Sequence, residues 1–201
     1  MTYDFIVNKE KPLTKDFIPD NLIKVTCPET PKIDSGYKTF LEKETYENFL
    51  LFSHAAEENG IIMVVDSGYR PYEYQKKILE YNLAIKGLDA YKTVALPGHS
   101  EHQTGLALDY VLIIDGNLCD DFDESFWQVK WILDNAYRFG FILRYPKGKE
   151  NITGYNYECW HLRYVGSNVA TIMHGMNIET LEEYHFRKKE FFSRKRSKTI
   201  E

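Results

Sequence analysis

The stretch PGHSEHQTGLALDYVLI, residues 97–113, decides how the rest of the chain is interpreted. It contains two potential metal ligands, His102 and Asp109, and Gly105 between them lets the backbone approach a site closely. An apolar run places Asp109 in a predicted buried strand at 106–114. Burying a carboxylate is costly unless a partner compensates its charge, and a cation is the simplest partner. Imidazole and carboxylate groups both bind Zn²⁺, and a catalytic zinc usually keeps three protein ligands, so a third ligand is expected elsewhere.

The composition is that of an ordinary globular domain, and it argues against some classes of protein. The chain has 201 residues, of which 43% are hydrophobic and 27% charged, which suits one domain with a sizeable core. The net charge of -5, without a basic stripe in the body of the chain, argues against a nucleic-acid-binding protein. Three cysteines without CxxC spacing predict free thiols rather than a disulfide framework.

The two ends of the chain differ from its middle. Residues 1–35 are rich in proline and predict an extended arm packed on the domain, residues 36–186 form the domain itself, and residues 187–201 form a basic tail. The first residues contain no apolar leader, so the sequence predicts a cytoplasmic protein. The alternative is a protein of the cell envelope whose anchor is not part of this chain.

Hydrophobic periodicity and turn residues predict an alternation of helices and strands. The predicted strands span residues 61–65, 106–114, 141–145 and 155–165. The predicted helices span residues 39–59, 72–86, 124–139, 167–174 and 180 onwards. Capping boxes are expected at the start of the first and last helices, where Thr39 precedes Glu42 and Thr180 precedes Glu183 by three residues.

The predicted strand 155–165 contains Glu158 and His161, which could supply the third ligand and a base. Residues three apart in a regular strand point to opposite faces, so the joint use of both side chains predicts a β-bulge near Cys159 and Trp160. His161 would then complete the zinc site, and Glu158 would remain unligated beside it. Zinc lowers the pKa of its bound water to about 7, and a nearby carboxylate can accept the proton and pass it to a leaving amine.

Three motifs, SGYR at 67–70, SEHQTGLALD at 100–109 and ECWH at 158–161, resemble those of the zinc D,D-peptidases of the VanY and VanXY type. The family pattern Ser-x-His-x-x-Gly-x-Ala-x-Asp followed by Glu-x-Trp-His is complete in this chain. The resemblance implies an α+β domain in which helices flank a central antiparallel sheet that carries the zinc site. It also implies D-alanyl-D-alanine carboxypeptidase or dipeptidase activity on peptidoglycan precursor peptides or D-Ala-D-Ala, and it suggests a role in glycopeptide-antibiotic resistance.

The resemblance also implies roles for individual residues. The zinc ligands would be His102, Asp109 and His161. The catalytic residues would be Glu158, the general base that activates the zinc-bound water, and Arg70, which would polarise the scissile carbonyl and stabilise its oxyanion. The candidates for substrate binding are Ser100, Gln75 and the pocket aromatic Trp160.

One position departs from the family pattern. Cys159 follows the catalytic Glu, where the family usually has a proline that fixes the local backbone. A thiol near zinc could compete for the open coordination position, and the alternative is an inert buried cysteine.

Other functions remain open on the sequence alone. The same metal site would serve an L,D-carboxypeptidase or a peptidoglycan endopeptidase, because only the pocket loops distinguish these enzymes. A non-catalytic, zinc-stabilised binding module is a third possibility, although it would need neither Glu158 nor Arg70. The basic tail could contact an anionic wall polymer or membrane surface, or it could be a solvated terminal helix.

Overall fold

Strands and helices alternate along residues 3–26 and 39–198, which are the residues that the computed structural model describes. The strands in these ranges are β1 Leu22–Lys24, β2 Phe40–Glu42, β3 Ile62–Ser67, β4 Ala107–Ile114, β5 Asn117–Cys119, β6 Phe141–Leu143 and β7 His161–Tyr164. The helices are α1 Lys43–Glu57, α2 Tyr72–Lys86, α3 Ala90–Thr93, α4 Trp127–Asn135, α5 Glu150–Thr153, α6 Ser167–Gly175 and α7 Leu181–Lys198. Part of the predicted arm, including Cys27, lies outside the described residues.

A five-stranded antiparallel sheet forms the centre of the fold. Its strands run in the order β3-β4-β7-β6, and β5 pairs with the far end of β4. The strands β1 and β2 form a separate antiparallel pair. Helices flank the sheet, so the predicted α+β fold with a central antiparallel sheet is confirmed.

The central strand β4 presents different side chains to its two faces. Leu108, Tyr110 and Leu112 alternate along the strand and belong to the main hydrophobic core, which also contains apolar residues of α1 and α4. Because side chains alternate along a strand, Asp109 points to the opposite face. The same alternation on β7 sends Leu162 and Tyr164 into the core and leaves His161 on the face that carries Asp109. One face of the sheet therefore holds the core together, and the other is free to carry a polar site.

The predicted helices are confirmed in outline, but the first one begins later than expected. Residues 40–42 of the predicted helix 39–59 pair with β1 instead, and α1 begins at Lys43. The capping box from Thr39 to Glu42 is therefore wrong, because Glu42 itself is the N-cap and accepts a hydrogen bond from the Thr45 amide at 3.1 Å. The second predicted capping box is correct, since Thr180 and Glu183 exchange side-chain-to-backbone hydrogen bonds at 3.1 Å.

The predicted strand 155–165 is much shorter in the structure, where only His161–Tyr164 pairs with its neighbours. The preceding residues form a loop that ends in a tight turn, in which the His161 amide donates to the Glu158 carbonyl at 3.2 Å. The bulge predicted near Cys159 is therefore wrong, because a turn rather than a distorted strand brings the two side chains together. The sheet does have a register shift, but it lies in β3 between Val65 and Ser67.

Both ends of the described chain pack on the domain. The C-terminal part forms a second hydrophobic cluster, in which α6 and the start of α7 pack on Ile142 and Val165. Near the N-terminus, the Leu13 amide donates to the Gly98 carbonyl at 2.8 Å. Among the described residues, no helix combines the length and the hydropathy that crossing a bilayer requires.

Candidate metal centre and active site

Three side chains converge on the polar face of the sheet. Asp109 on β4 and His161 on β7 are direct cross-strand partners, which places their side chains next to each other. His102 comes from the short 3-10 helix Glu101–Thr104, which precedes β4. One ligand atom from each of these three residues lies within 4.8 Å of the others, so the group could hold a metal ion.

A hydrogen bond to the backbone fixes the orientation of the His102 ring. Its Nδ1 lies 2.7 Å from the carbonyl oxygen of Gly68, which can only accept, so Nδ1 carries the proton. The lone pair of Nε2 is then free and lies 3.2 Å from Asp109 Oδ2. A glycine is required at position 68, because an added Cβ would lie 2.3 Å from the Phe40 carbonyl oxygen. Because Gly68 has no side chain, its backbone carbonyl can come close enough to His102 to orient this metal ligand.

The atoms at the centre of the trio fit a zinc ion. His161 Nδ1 lies 3.0 Å from Asp109 Oδ1, and neighbouring ligands of a tetrahedral zinc are expected roughly 3.3 Å apart. His102 Nε2 is buried and makes no hydrogen bond within the described part of the chain, as expected of an atom that has a different partner when the site is loaded. Two imidazole nitrogens and one carboxylate are the donor set of many catalytic zinc sites.

The protonation of the trio also suits a cation. Burial and the nearby charge of Arg70 lower the pKa of His102 to about 4, so this ring is neutral at pH 7 and can donate its lone pair. Burial alone would raise the pKa of Asp109, but the two histidines hold it well below its usual value. Burial opposes a charge on His161, yet the hydrogen bond to Asp109 and the nearby carboxylate of Glu101 raise its pKa to about 9. In the metal-free protein His161 is therefore protonated at pH 7, and its positive charge compensates the carboxylates as a bound cation would.

Glu158 lies beside the trio without being part of it. Its Oε2 is 3.7 Å from His161 Nδ1, and the Glu158 amide donates to the Tyr145 carbonyl at 3.1 Å, which anchors the turn. Burial raises the pKa of this carboxyl group to about 7. A carboxylate with a pKa near the working pH can both accept and return a proton, which is what a general base that later acts as an acid must do.

Arg70 lies on the other side of Asp109. Its Nη2 is 3.9 Å from Asp109 Oδ2, and its backbone amide donates to the His102 carbonyl at 3.1 Å. The buried Nε of Arg70 makes no hydrogen bond to any described residue, so it is available to a ligand. This guanidinium group is therefore placed to stabilise negative charge that develops close to the metal site.

A narrow cavity of about 70 Å³ joins most of the predicted site residues. Gln75 and Ser100 line it, together with Arg70, Glu158 and the two histidines of the trio. Gln75 donates its amide to the Ala95 carbonyl at 2.8 Å, and its side-chain oxygen is buried without a partner among the described residues. Trp160 does not line this cavity, and 38% of its surface is exposed. Every predicted site residue except Trp160 and Asp109 therefore lines this cavity, and Asp109 contacts the two histidines from the adjoining cleft.

A wider cleft of about 270 Å³ lies next to the narrow cavity and is also lined by Arg70. Asp66, Tyr69 and Tyr74 form part of its wall. Arg70 lines both spaces, so a peptide whose scissile bond lies beside Arg70 could extend into both of them.

Several residues of the site were not assigned by the sequence analysis. Tyr145 and Tyr155 line the narrow cavity, and the ring of Tyr145 lies 4.8 Å from that of His161. Tyr155 belongs to the aromatic-rich stretch 155–165, and such a stretch is compatible with a pocket or with a core. Glu101 is buried behind His161, and its position next to a metal-binding histidine was the only signal in the sequence.

Cys159 does not face the metal site. Its side chain is buried in the main core, and Sγ donates to the Phe122 carbonyl at 3.4 Å. Burial raises the pKa of this thiol to about 11, so it is not a thiolate at pH 7. The inert reading of Cys159 is therefore the one that the structure supports.

Comparison with known proteins gives relatives over most of the chain. The Bacillus subtilis (strain 168) protein YodJ is 40% identical over 180 residues, which are 89% of this chain and 65% of YodJ, so the chain spans just under two thirds of that relative. The bifunctional D-Ala-D-Ala dipeptidase and D-Ala-D-Ala carboxypeptidase VanXYC of Enterococcus gallinarum is 36% identical over 184 residues, which are 90% of this chain and 92% of VanXYC.

Solved structures share the fold as well as the sequence. The LD-carboxypeptidase LdcB has a TM-score of 0.75 and 38% identity, covering 89% of this chain and 83% of LdcB. A mutant of the vancomycin resistance D,D-pentapeptidase VanY, solved in complex with Zn(II), has a TM-score of 0.75 and 30% identity, covering 90% of this chain and 98% of VanY. The sequence profile of the VanY family, described as D-alanyl-D-alanine carboxypeptidase, matches residues 38–167. The chain therefore belongs to the VanY family of D-alanyl-D-alanine carboxypeptidases.

Proposed function

We propose that this protein is a zinc D,D-carboxypeptidase and D,D-dipeptidase that removes the terminal D-alanine from peptidoglycan precursor peptides. The observation that carries the proposal is the metal trio with Glu158 next to it and outside it. A structural metal site has no need of a buried carboxylate with a raised pKa at its edge.

The proposed mechanism assigns one task to each side chain. His102, Asp109 and His161 would hold zinc, which supplies a water of lowered pKa and polarises the scissile carbonyl. Glu158 would take a proton from the attacking water and return it to the leaving D-alanine amine, so that the peptide bond breaks as the acyl bond to water forms. Arg70 would bind the oxygen that becomes negative during the attack.

The shape of the site supports substrates with a small terminal residue. The narrow cavity is the smaller of the two spaces, at about 70 Å³ against about 270 Å³, and Ser100 and Gln75 line it with polar groups that could bind a terminal carboxylate. The wider cleft on the other side of Arg70 leaves space for the rest of a longer peptide. Because both spaces are present, we propose that the enzyme accepts precursor peptides as well as the free dipeptide.

The test is the release of D-alanine from D-Ala-D-Ala, from a tripeptide and from a pentapeptide precursor, with and without a chelator. We expect release from all three substrates, its loss with the chelator and its return with added zinc. Zinc-loaded protein that leaves all three substrates intact would contradict the proposal.

An L,D-carboxypeptidase is the second candidate, and the likeness to the LD-carboxypeptidase LdcB is the observation that favours it. The metal trio serves either substrate, because the difference lies in the configuration of the residue before the cleaved bond. A pair of stem peptides that differ only in that configuration separates the two candidates. Preference for the L-configured peptide would replace the first proposal with the second.

We also propose that the basic tail contacts an anionic wall polymer or membrane surface. Arg187 and Lys189 are exposed on α7, whereas Lys188 is bound to Asp4 at 2.7 Å. Charge neutralisation by Arg187→Gln and Lys189→Gln should weaken binding to anionic vesicles at low salt, and a Glu190→Gln variant on the same helix serves as a control. Equal binding by all variants would sink this proposal.

A further inference from the structure

A buried cluster of charges lies behind the metal site and is not used by the proposed mechanism. At its centre is Glu101, whose side chain is completely buried. Its Oε1 accepts a hydrogen bond from Arg144 Nε at 2.7 Å and lies 2.7 Å from Arg163 Nη1. The second contact is an ion pair without hydrogen-bond geometry, because Nη1 has no hydrogen-bond partner among the described residues. One oxygen of Glu101 thus faces two buried guanidinium groups.

Both arginines also form hydrogen bonds with distant parts of the chain. Arg144 binds Glu182 at the start of α7 through two hydrogen bonds of 2.9 and 2.7 Å. Arg163 donates to the carbonyls of Tyr3 and Phe5 at 3.0 and 2.9 Å. The cluster contains two carboxylates and two guanidinium groups, so its formal charge is zero, as the burial of so many charges requires.

The second oxygen of Glu101 points towards the metal site. Oε2 lies 3.8 Å from His161 Nε2, and both atoms are buried without a hydrogen-bond partner among residues 3–26 and 39–198. The two orphaned atoms therefore face each other, and one can donate what the other can only accept.

We propose that Glu101 is a positioning residue for zinc, because it accepts a hydrogen bond from His161 Nε2 and thereby turns the lone pair of Nδ1 towards the metal. A neutral imidazole carries one proton, so a proton held on Nε2 leaves Nδ1 free to bind. The arginines bound to Oε1 keep Glu101 ionised, which makes it an acceptor and never a donor. The inference rests on the proposed zinc site and adds a residue at a position that the family pattern leaves open.

A Glu101→Gln variant tests the inference, because the amide replaces an acceptor by a donor. Arg144 and Arg163 offer only donors, so they select the amide oxygen and turn the NH₂ group towards His161. The ring would then accept at Nε2 and carry its proton on Nδ1, where zinc must bind. The matched control is Glu182→Gln, which removes a carboxylate from the same cluster without touching His161.

Zinc affinity, measured by competition with a chelating dye, is the readout. We expect Glu101→Gln to weaken zinc binding by about 10–100-fold and Glu182→Gln by no more than about twofold. The inference is overturned if both variants lose affinity equally or if Glu101→Gln binds zinc as tightly as the wild type. A wild type that does not bind zinc would instead remove the proposed function, so the two failures are distinguishable.

If Glu101→Gln does not fold, NMR of the wild-type protein decides. The protein is loaded with ¹¹³Cd²⁺ and labelled with ¹⁵N at histidine. We expect the metal to couple to Nδ1 of His161 and a slowly exchanging proton to be present on Nε2. Coupling to Nε2, or an Nε2 without a proton, would refute the inference.

Discussion

Replacing Glu158 by glutamine should make the protein more stable and much less active, and both effects can be estimated from the structure. An unfolded glutamate has a pKa of about 4.3, whereas burial raises the pKa of Glu158 to about 7 in the folded, metal-free protein. Below pH 4 both states hold the proton, so this group has no effect. Between about pH 4.3 and pH 7 only the unfolded state releases this proton, so the folded state loses stability as the pH rises, by about 4 kcal/mol in total. Above pH 7 the group is ionised in both states, and the loss stays constant.

Glutamine has the same shape and no charge, so it removes this pH-dependent cost. For a chain of this size 1 kcal/mol corresponds to roughly 2–4 °C, so the melting temperature of metal-free Glu158→Gln should exceed that of the wild type by about 8–16 °C at pH 8. The difference should vanish near pH 4. Melting curves of the metal-free proteins at several pH values measure both quantities.

The same substitution removes the proposed base. General base catalysis contributes about 10²–10⁴-fold, which corresponds to roughly 2.7–5.4 kcal/mol in the barrier. Because the pKa of Glu158 lies close to neutral pH, we expect a loss of kcat/KM in the upper half of that range. Zinc content should remain unchanged, since Glu158 lies outside the trio.

Glu150→Gln is the control, because this carboxylate is exposed at the start of α5 and accepts a hydrogen bond from the Gly148 amide. It should leave activity unchanged, and because the pKa of its carboxyl group is lowered, it should leave melting near and above neutral pH unchanged as well. A Glu158→Gln enzyme that keeps more than about a tenth of the wild-type activity would refute the assignment of the base. A variant that melts like the wild type at pH 8 would refute the argument from burial.

Three further predictions concern the metal trio. His102→Ala should abolish measurable zinc binding by equilibrium dialysis and cost about 1–3 kcal/mol of metal-free stability, because it removes one of the two imidazole partners of the Asp109 carboxylate and opens a buried space; an unchanged melting temperature would count against this. Since the pKa of His161 is raised to about 9 in the metal-free protein, zinc uptake at pH 7 should release a proton and apparent affinity should rise about tenfold per pH unit up to pH 9; calorimetry in buffers of different ionisation enthalpy measures the proton, and a pH-independent affinity would oppose the idea. Gly68→Ala should weaken zinc binding and lower the melting temperature, because its Cβ would meet the Phe40 carbonyl at 2.3 Å; normal zinc affinity in this variant would show that the Gly68 carbonyl does not orient His102.

The sequence predicted the metal trio and the sheet because both depend on short-range patterns. The apolar residues around Asp109 identified a buried strand, and the charge inside it demanded a partner. The partner could not be located by periodicity. His161 was found through its spacing to Glu158, and the predicted bulge assumed that both lay in one strand. In the structure the Glu158 backbone pairs with Tyr145 outside the sheet, a contact that alternation of side chains does not reveal.

The residues behind the site were harder to predict for a physical reason. Glu101 is surrounded by Arg144, 43 residues further on, and by Arg163, so its environment depends on how three separate segments meet. A buried glutamate and a surface glutamate look the same in a sequence. Likewise, Thr39 and Glu42 have the spacing of a capping box, but pairing with β1 outcompetes the local helix start.

The direct pairing of Asp109 with His161 in the interior of the sheet has a consequence for how the metal would come and go. The backbones that carry these two ligands can separate only if β4 and β7 part, which requires the sheet to open. We therefore expect the ion to leave and return by movements of side chains, while the paired backbone stays in place. The Tyr110 amide, which donates to the Trp160 carbonyl at 3.1 Å between the two strands, should exchange with deuterium only on the timescale of global unfolding, with or without the ion.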